Sequence, residues 1–263
     1  MKQKGSTVKI PVIRGVIDRR MLINFRVDPD VLSHVLPFPF RPKVVNGHGV
    51  AGICLIRLKH IRPRFLPRFV GLSSENAAHR IAVEWDENGQ TCEGVYVPRR
   101  DTSSWLNSLA GGRLFPGVHH HGRFQVREEN GDYNVRFDGD DTHVAVNATI
   151  SPTFPTTSTF GSLREASDFF EAGSLGYSAT KKSGEFDALE CRTFNWRVDP
   201  LDVTHVESSF IDNRALFPNG SVEFDCALLM RGIEHEWRGQ PLMNAGRGTQ
   251  AAREFSSRLS TGT

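Results

Sequence analysis

Hydrophobic positions in this chain recur at strand spacing more often than at helical spacing. Over His79–Trp85, Ile81, Val83 and Trp85 fall on one side and Arg80, Ala82 and Glu84 on the other. The turn residues Asp86-Glu87-Asn88-Gly89 follow, and Thr91–Val97 returns as the second arm of a hairpin. Arg123–Glu128, a turn at Glu129-Asn130-Gly131-Asp132 and Tyr133–Phe137 predict a second hairpin, and Thr142–Ile150 a further alternating strand. Met21–Val27, Gly47–Lys59, Glu185–Val198, Val203–Phe210 and Ser221–Met230 are also read as strands.

Helical signals are fewer and short. Asp28 is placed to cap a helix with Pro29 at its first position, where no backbone donor is lost; Val31, Leu32 and Val35 share one face, and Pro37 and Pro39 end it. A second helix is predicted over Ser103–Leu109, closed by Gly111 and Gly112. Ser162-Leu163-Arg164-Glu165 forms a capping box that opens a third, carrying Phe169 and Phe170 and stopping at Gly173. Closely spaced strands, few helices and no break in composition predict one α+β, β-rich domain over residues 1–242, with 243–263 a flexible tail.

Composition narrows the setting. The chain has 263 residues, 38% hydrophobic and 24% charged, enough to build a substantial core. No apolar stretch approaches the roughly 18–20 residues that cross a bilayer, so no membrane partner is expected. Cys54, Cys92, Cys191 and Cys226 are far apart in sequence, which argues against a zinc ribbon or a disulfide scaffold and fits a reducing cytoplasm. The net charge of +2 hides 25 arginines against 7 lysines. Genomic base composition explains such an excess, and so does a site that holds anions with guanidinium forks.

Four segments hold candidate chemistry. His119, His120 and His121 follow a Gly/Pro loop containing Arg113; on a strand His119 and His121 share a side and His120 takes the other. Two histidines at that spacing are weak support for a metal, so no metal and no cofactor is expected. The run Arg57–Phe69 mixes basic and aromatic residues, but reads as a solvated strand end with Phe65 and Phe69 packing inward, and no nucleic-acid partner is expected. Ser74-Glu75-Asn76 places a carboxylate and an amide just before a strand, while Arg99-Arg100-Asp101 puts two guanidiniums beside a carboxylate at a strand end. Paired arginines hold a carboxylate bidentately; the alternative is an ion pair with a helix cap. No nucleophile elbow, phosphate loop or dinucleotide fingerprint is present.

Several of these segments resemble the acetoacetate decarboxylase-like superfamily: Phe25–Leu32, Val35-Leu36-Pro37, and Gly111-Gly112-Arg113 leading to His119-His120-His121. The sequence is more similar to a bacterial domain-of-unknown-function family within it, through Ser74–Arg80, Arg99–Ser104 and Gly173–Ser178, over about residues 15–240. The resemblance implies curved antiparallel sheets forming a partly closed barrel around a central cavity. In the decarboxylases a Gly-Arg precedes a Pro-Lys-Lys whose first lysine forms a Schiff base, activated by the neighbouring ammonium. Gly112-Arg113 matches, but the Pro-Lys-Lys positions are His119-His120-His121, and an imidazole cannot form the iminium. The pocket glutamate of that family falls on Glu75; its pocket arginine falls on Asp18 without a gap or Arg19 with one.

The expected function is therefore a small-molecule pocket, with His120 and Glu75 as general acid and base and Arg113, Arg99, Arg100, Asp101, Asn76, His119 and His121 binding an anionic or carbonyl-containing metabolite. The alternative is a binding or sensing protein without turnover. The oligomeric state is left open.

Overall fold

A computed structural model describes residues 11–104 and 118–245. Its strands are β1 (Ile13–Val27), β2 (Arg41–Pro42), β3 (Val44–Val45), β4 (His48–Pro63), β5 (Leu72–Glu87), β6 (Gln90–Thr102), β7 (His119–His121), β8 (Arg123–Glu129), β9 (Asp132–Asp138), β10 (His143–Ile150), β11 (Leu175–Ala179), β12 (Glu185–Thr193), β13 (Asp199–Ser208) and β14 (Val222–Asn244). The described helices are α1 (Pro29–Val35) and α2 (Leu163–Ala172). The helix expected at Ser103–Leu109 lies mostly outside the described residues, as do Arg113 and nearly all of the expected tail; β14 itself runs on to Asn244.

Strands join in the order β1-β4-β5-β6-β11-β12-β14, and β14 pairs back onto β1, closing a ring; β13, β10, β9 and β8 continue outward from β14. Most pairs are antiparallel, as expected from hairpins, but β11 and β7 each lie parallel to β6. Both are joined to β6 by long excursions rather than tight turns, which is what parallel pairing requires. The two hairpin turns form as their sequences dictate. Asn88 and Gly89 take φ of 52° and 78°, and Asn130 and Gly131 take 52° and 91°, the left-handed pairs that suit a twisted two-residue turn.

The helix caps also follow the sequence. The Asp30 amide donates to Asp28 Oδ1 at 2.9 Å, and the Glu165 amide to Ser162 Oγ at 3.2 Å. The Glu165 carboxylate reaches one residue further back than a standard box, accepting from the Gly161 amide at 2.8 Å. β1 is longer than the Met21–Val27 run because it is central and covered on both sides. Met21, Ile23 and Phe25 join a core with α1, β9 and β10, while Ile17 and Leu22 join a second core with α2. A strand buried on both faces shows a continuous apolar run instead of clean alternation.

Register fixes which side chains share a face. Arg19, Arg57 and Glu75 are lateral neighbours across β1, β4 and β5, followed by Met21, Leu55, Ala77 and Asp101, then Ile23, Ile53, His79 and Arg99. The adjacent residues make the opposite face: Arg20, Ile56 and Asn76; Leu22, Cys54, Ala78 and Arg100; Asn24, Gly52 and Arg80. A register shift between Ile17 and Arg19 inserts Asp18 as an extra residue against β4. Ile17 thereby stays with the second core while Arg19 turns to the first core's side.

Candidate functional site

The doublets Arg19-Arg20, Glu75-Asn76, His79-Arg80 and Arg99-Arg100 are each split between two faces, because successive strand residues point in opposite directions. On the first face each arginine meets a carboxylate, although Arg19 Nε and His79 Nδ1 are buried without a hydrogen-bond partner among the described residues. Arg19 is 1% exposed and donates to Glu75 Oε2 at 2.6 Å and to Glu128 Oε1 at 2.5 Å. Arg57 Nε donates to Glu75 Oε1 at 2.5 Å and its Nη2 lies 2.9 Å from Glu128. Both oxygens of Glu75 are thus engaged by guanidiniums. Arg99 holds Asp101 at 2.9 Å and Asp141 at 2.5 Å. Burial pushes the Asp101 carboxyl up, with Arg99 pulling against it. Beside them His79 is wholly buried, its Nε2 3.0 Å from Ser208 Oγ, and burial reinforced by the charge of Arg99 lowers it to about 3.

The second face borders a pocket of about 160 Å³ between the sheet and the C-terminal end of α2. Its walls are apolar, with Ile56, Leu58, Val95, Leu189, Trp196 and Trp237 among them. Into these walls are set Arg20, Arg80 and Arg100. Among the described residues none of the three has a carboxylate within 4 Å, whereas Arg19, Arg57 and Arg99 all do. Arg20 Nε donates to Cys54 Sγ at 3.3 Å. Arg80 donates to Asn24 Oδ1 and lies 4.6 Å from the centre of the Phe170 ring, while its Nε is buried with no partner among the described residues. Arg100 Nε donates to Ser178 Oγ at 3.1 Å.

Burial pushes Arg80 and Arg100 down to about 10, so both remain cations at neutral pH. Arg80 is buried and Arg20 and Arg100 are half-buried; their hydrogen-bond and ring partners among the described residues are an amide, a hydroxyl, an aromatic ring and a thiol, and the Asp187 carboxylate acts on Arg100 electrostatically. Glu171 stands exposed at the rim, outside their reach.

The residues expected from the sequence divide between the faces. Asn76, Arg100, Asp101 and His119 line the pocket, although the Asp101 carboxylate is turned to Arg99. Glu75 and Arg99 lie on the paired face. His120, opposite Asp101 in register and exposed, is also on that side; its charge acts on both Asp101 and Asp141. His121 is half-buried opposite Thr102. Arg113 is outside the described residues. Among the described residues no group of three or more His, Cys, Asp or Glu side chains is placed to hold a metal. Phe65 and Phe69 do not pack inward: they are 78% and 87% exposed, because the loop carrying them projects beyond the β4–β5 pairing. Arg57 and Lys59, read as solvated, are tied to Asp18 at 3.5 and 2.9 Å, and Arg57 to Glu75 as well.

Sequence reasoning did not single out Arg20 or Arg80. Each had a usable signal: a charged residue inside an otherwise buried strand. Arg20 stands directly before Met21-Leu22-Ile23, and Arg80 sits between His79 and Ile81, all wholly or almost wholly buried.

Known proteins bear on this geometry in two ways. A model of the DUF2071 family, described as an uncharacterised conserved protein, matches residues 17–229. Among curated proteins nothing matches the sequence. Solved structures share the fold at low identity. An acetoacetate decarboxylase-like enzyme from Sphingomonas wittichii RW1 superposes with a TM-score of 0.58 and 11% identity, over 90% of this chain and 94% of its own. Acetoacetate decarboxylase from Legionella pneumophila gives 0.59 and 11%, over 87% and 86%. The enduracididine biosynthesis enzyme MppR, in complex with pyruvate, gives 0.55 and 9%, over 92% and 93%.

Proposed function

The chain belongs to the DUF2071 family and has an acetoacetate decarboxylase-like fold, and from that premise we propose that its pocket binds a small organic anion bearing a carbonyl group. The observation that carries this is the set of Arg20, Arg80 and Arg100 in apolar walls with no carboxylate within 4 Å among the described residues. Guanidinium forks match a carboxylate, and the apolar walls suit a short carbon skeleton. A cavity of about 150 Å³ accommodates a benzene-sized body, so a ligand of roughly six to ten heavy atoms fits. The fold neighbours named for acetoacetate and solved with pyruvate handle molecules of this class. No lysine is among the described lining residues, which favours binding and polarisation over a Schiff base.

The test is thermal unfolding with a panel of small 2-oxo carboxylates, saturated carboxylates and neutral ketones. The anions stabilise the protein, by about 2.7 kcal/mol at a hundredfold excess over Kd, and neutral ketones do not. Arg100→Gln removes the effect. Equal responses to anions and ketones, or none to either, overturn the reading.

A second reading, acid–base turnover of the same ligand, is favoured by His119 on the pocket wall opposite Arg100 in register. His119→Gln then preserves ligand-induced stabilisation and abolishes exchange of the ligand's α-protons into deuterated water. Unchanged exchange in that variant rejects it.

A further inference from the structure

The four cysteines occupy different environments. Cys226 is fully buried away from the pocket, and burial pushes its thiol up to about 12. Cys191 lines the pocket, but burial raises it too. Cys92 is half-buried outside the pocket lining. Cys54 alone of these receives a guanidinium hydrogen bond, from Arg20 at 3.3 Å, while Arg20 also acts electrostatically on Cys191 and Arg80 on Cys226. It lies on the pocket face, opposite Ala78 in β5 with Arg100 next in line on β6. A second feature lies on the same wall: Arg80, 6% exposed, lines the pocket with its Nη2 bonded to Asn24 and its Nε buried without a partner among the described residues.

We propose that Cys54 is the nucleophile of this pocket and adds reversibly to the carbonyl carbon of the bound anion, an inference that rests on the anion-binding reading above. In the step, Sγ forms a bond to the carbonyl carbon, and the C=O π pair moves onto oxygen. The thiol proton ends on that oxygen, giving a hemithioacetal or hemithioketal. No oxidant or further reactant is required. One guanidinium orients the ligand's carboxylate, while a neighbouring one stabilises the negative charge that develops on the carbonyl oxygen.

Alkylation of the intact protein at neutral pH, with sites mapped by mass spectrometry, tests this. Iodoacetate carries the carboxylate that the pocket selects, and iodoacetamide is its neutral counterpart. Cys54 is expected to react about tenfold faster with iodoacetate than with iodoacetamide, which corresponds to about 1.4 kcal/mol of selectivity. Cys92 shows no such preference, and Arg100→Gln removes it at Cys54. A 2-oxo carboxylate slows labelling of Cys54 reversibly, and more than the saturated carboxylate of equal length. Equal rates with the two reagents at Cys54, or no labelling there while Cys92 is modified, overturn the proposal. Equal protection by oxo and saturated acids overturns the addition step. Thermal stabilisation by carboxylates with Cys54 unlabelled leaves the pocket reading standing and removes the nucleophile. Absence of both stabilisation and anion-selective labelling overturns the pocket reading and the nucleophile together.

Discussion

On one face of β1, β4 and β5, Arg19 and Arg57 share Glu75 and Glu128; on the other, Arg20, Arg80 and Arg100 reach no described carboxylate within 4 Å. The strands are the same and the residues are sequence neighbours. What differs is what the adjoining strands present at each register position. The paired face receives acids from β5, β6 and β8, and each of its arginines meets one. The pocket face receives Asn24, Cys54, Asn76 and Ser178, with Asp187 acting on Arg100 electrostatically, so its cations have mainly neutral neighbours among the described residues. Paired buried charge serves the fold, and unpaired buried charge is tolerated where function needs it.

The contrast is broken most severely at Arg19. Arg19→Met leaves Glu75 and Glu128 without their buried partner and is expected to cost about 3–5 kcal/mol, read as a lower denaturant midpoint at unchanged slope. A loss below about 1 kcal/mol would show that the network is no more than a surface pair.

Acid comes next, and it acts on both faces. His79 on the paired side is held at about 3 and His235, beside Trp237 and under the charge of Arg20, at about 4; burial is the main cause for each. Both values lie below the ordinary histidine value of about 6.5, so between them the unfolded chain binds more protons than the native one. Stability therefore falls as pH drops from about 6.5 toward 4, by on the order of a few kcal/mol. His79→Gln flattens part of that slope in a pH series of unfolding midpoints, and an unchanged slope would locate the acid sensitivity elsewhere.

Gly52 sharpens the comparison where the two faces meet. A methyl there would stand 2.6 Å from the Ile23 carbonyl and 3.4 Å from Arg80 Nη2. Gly52→Ala is expected to cost about 1–3 kcal/mol through backbone displacement, and to weaken anion binding by moving Arg80. Full stability with full binding would contradict the packing described.

The smallest stability effect belongs to Arg80→Met, and its sign is the point. Removing a buried cation that has no carboxylate within 4 Å among the described residues is expected to leave stability within about 1 kcal/mol or to raise it, while abolishing stabilisation by carboxylates. A loss as large as that of Arg19→Met would mean that Arg80 is structural and the two faces are alike.

Much of the fold was legible. Alternation located the hairpins at Asn88-Gly89 and Asn130-Gly131, and Asp28 and Ser162 marked the helix starts, because those signals are local. The pocket was legible only in part. Asn76, Arg100, Asp101 and His119 were found through the family-like segments, whereas Arg20 and Arg80 belong to strands whose partners cannot be read from their own spacing. The exposed Phe65 and Phe69 were misread for a similar reason: an aromatic in a Pro-rich loop carries no signal of which way the loop projects.

By itself the sequence determined that Arg19 and Arg20, or Arg99 and Arg100, must point to opposite faces, since that follows from the geometry of any strand. Only the tertiary structure decided which member of each pair meets a carboxylate. That outcome depends on the extra residue at Asp18, which turns Arg19 toward Arg57 and Glu75, and on strands far apart in the chain closing into one ring. Cross-strand neighbours are set by register, and register is a property of the assembled sheet rather than of any single strand.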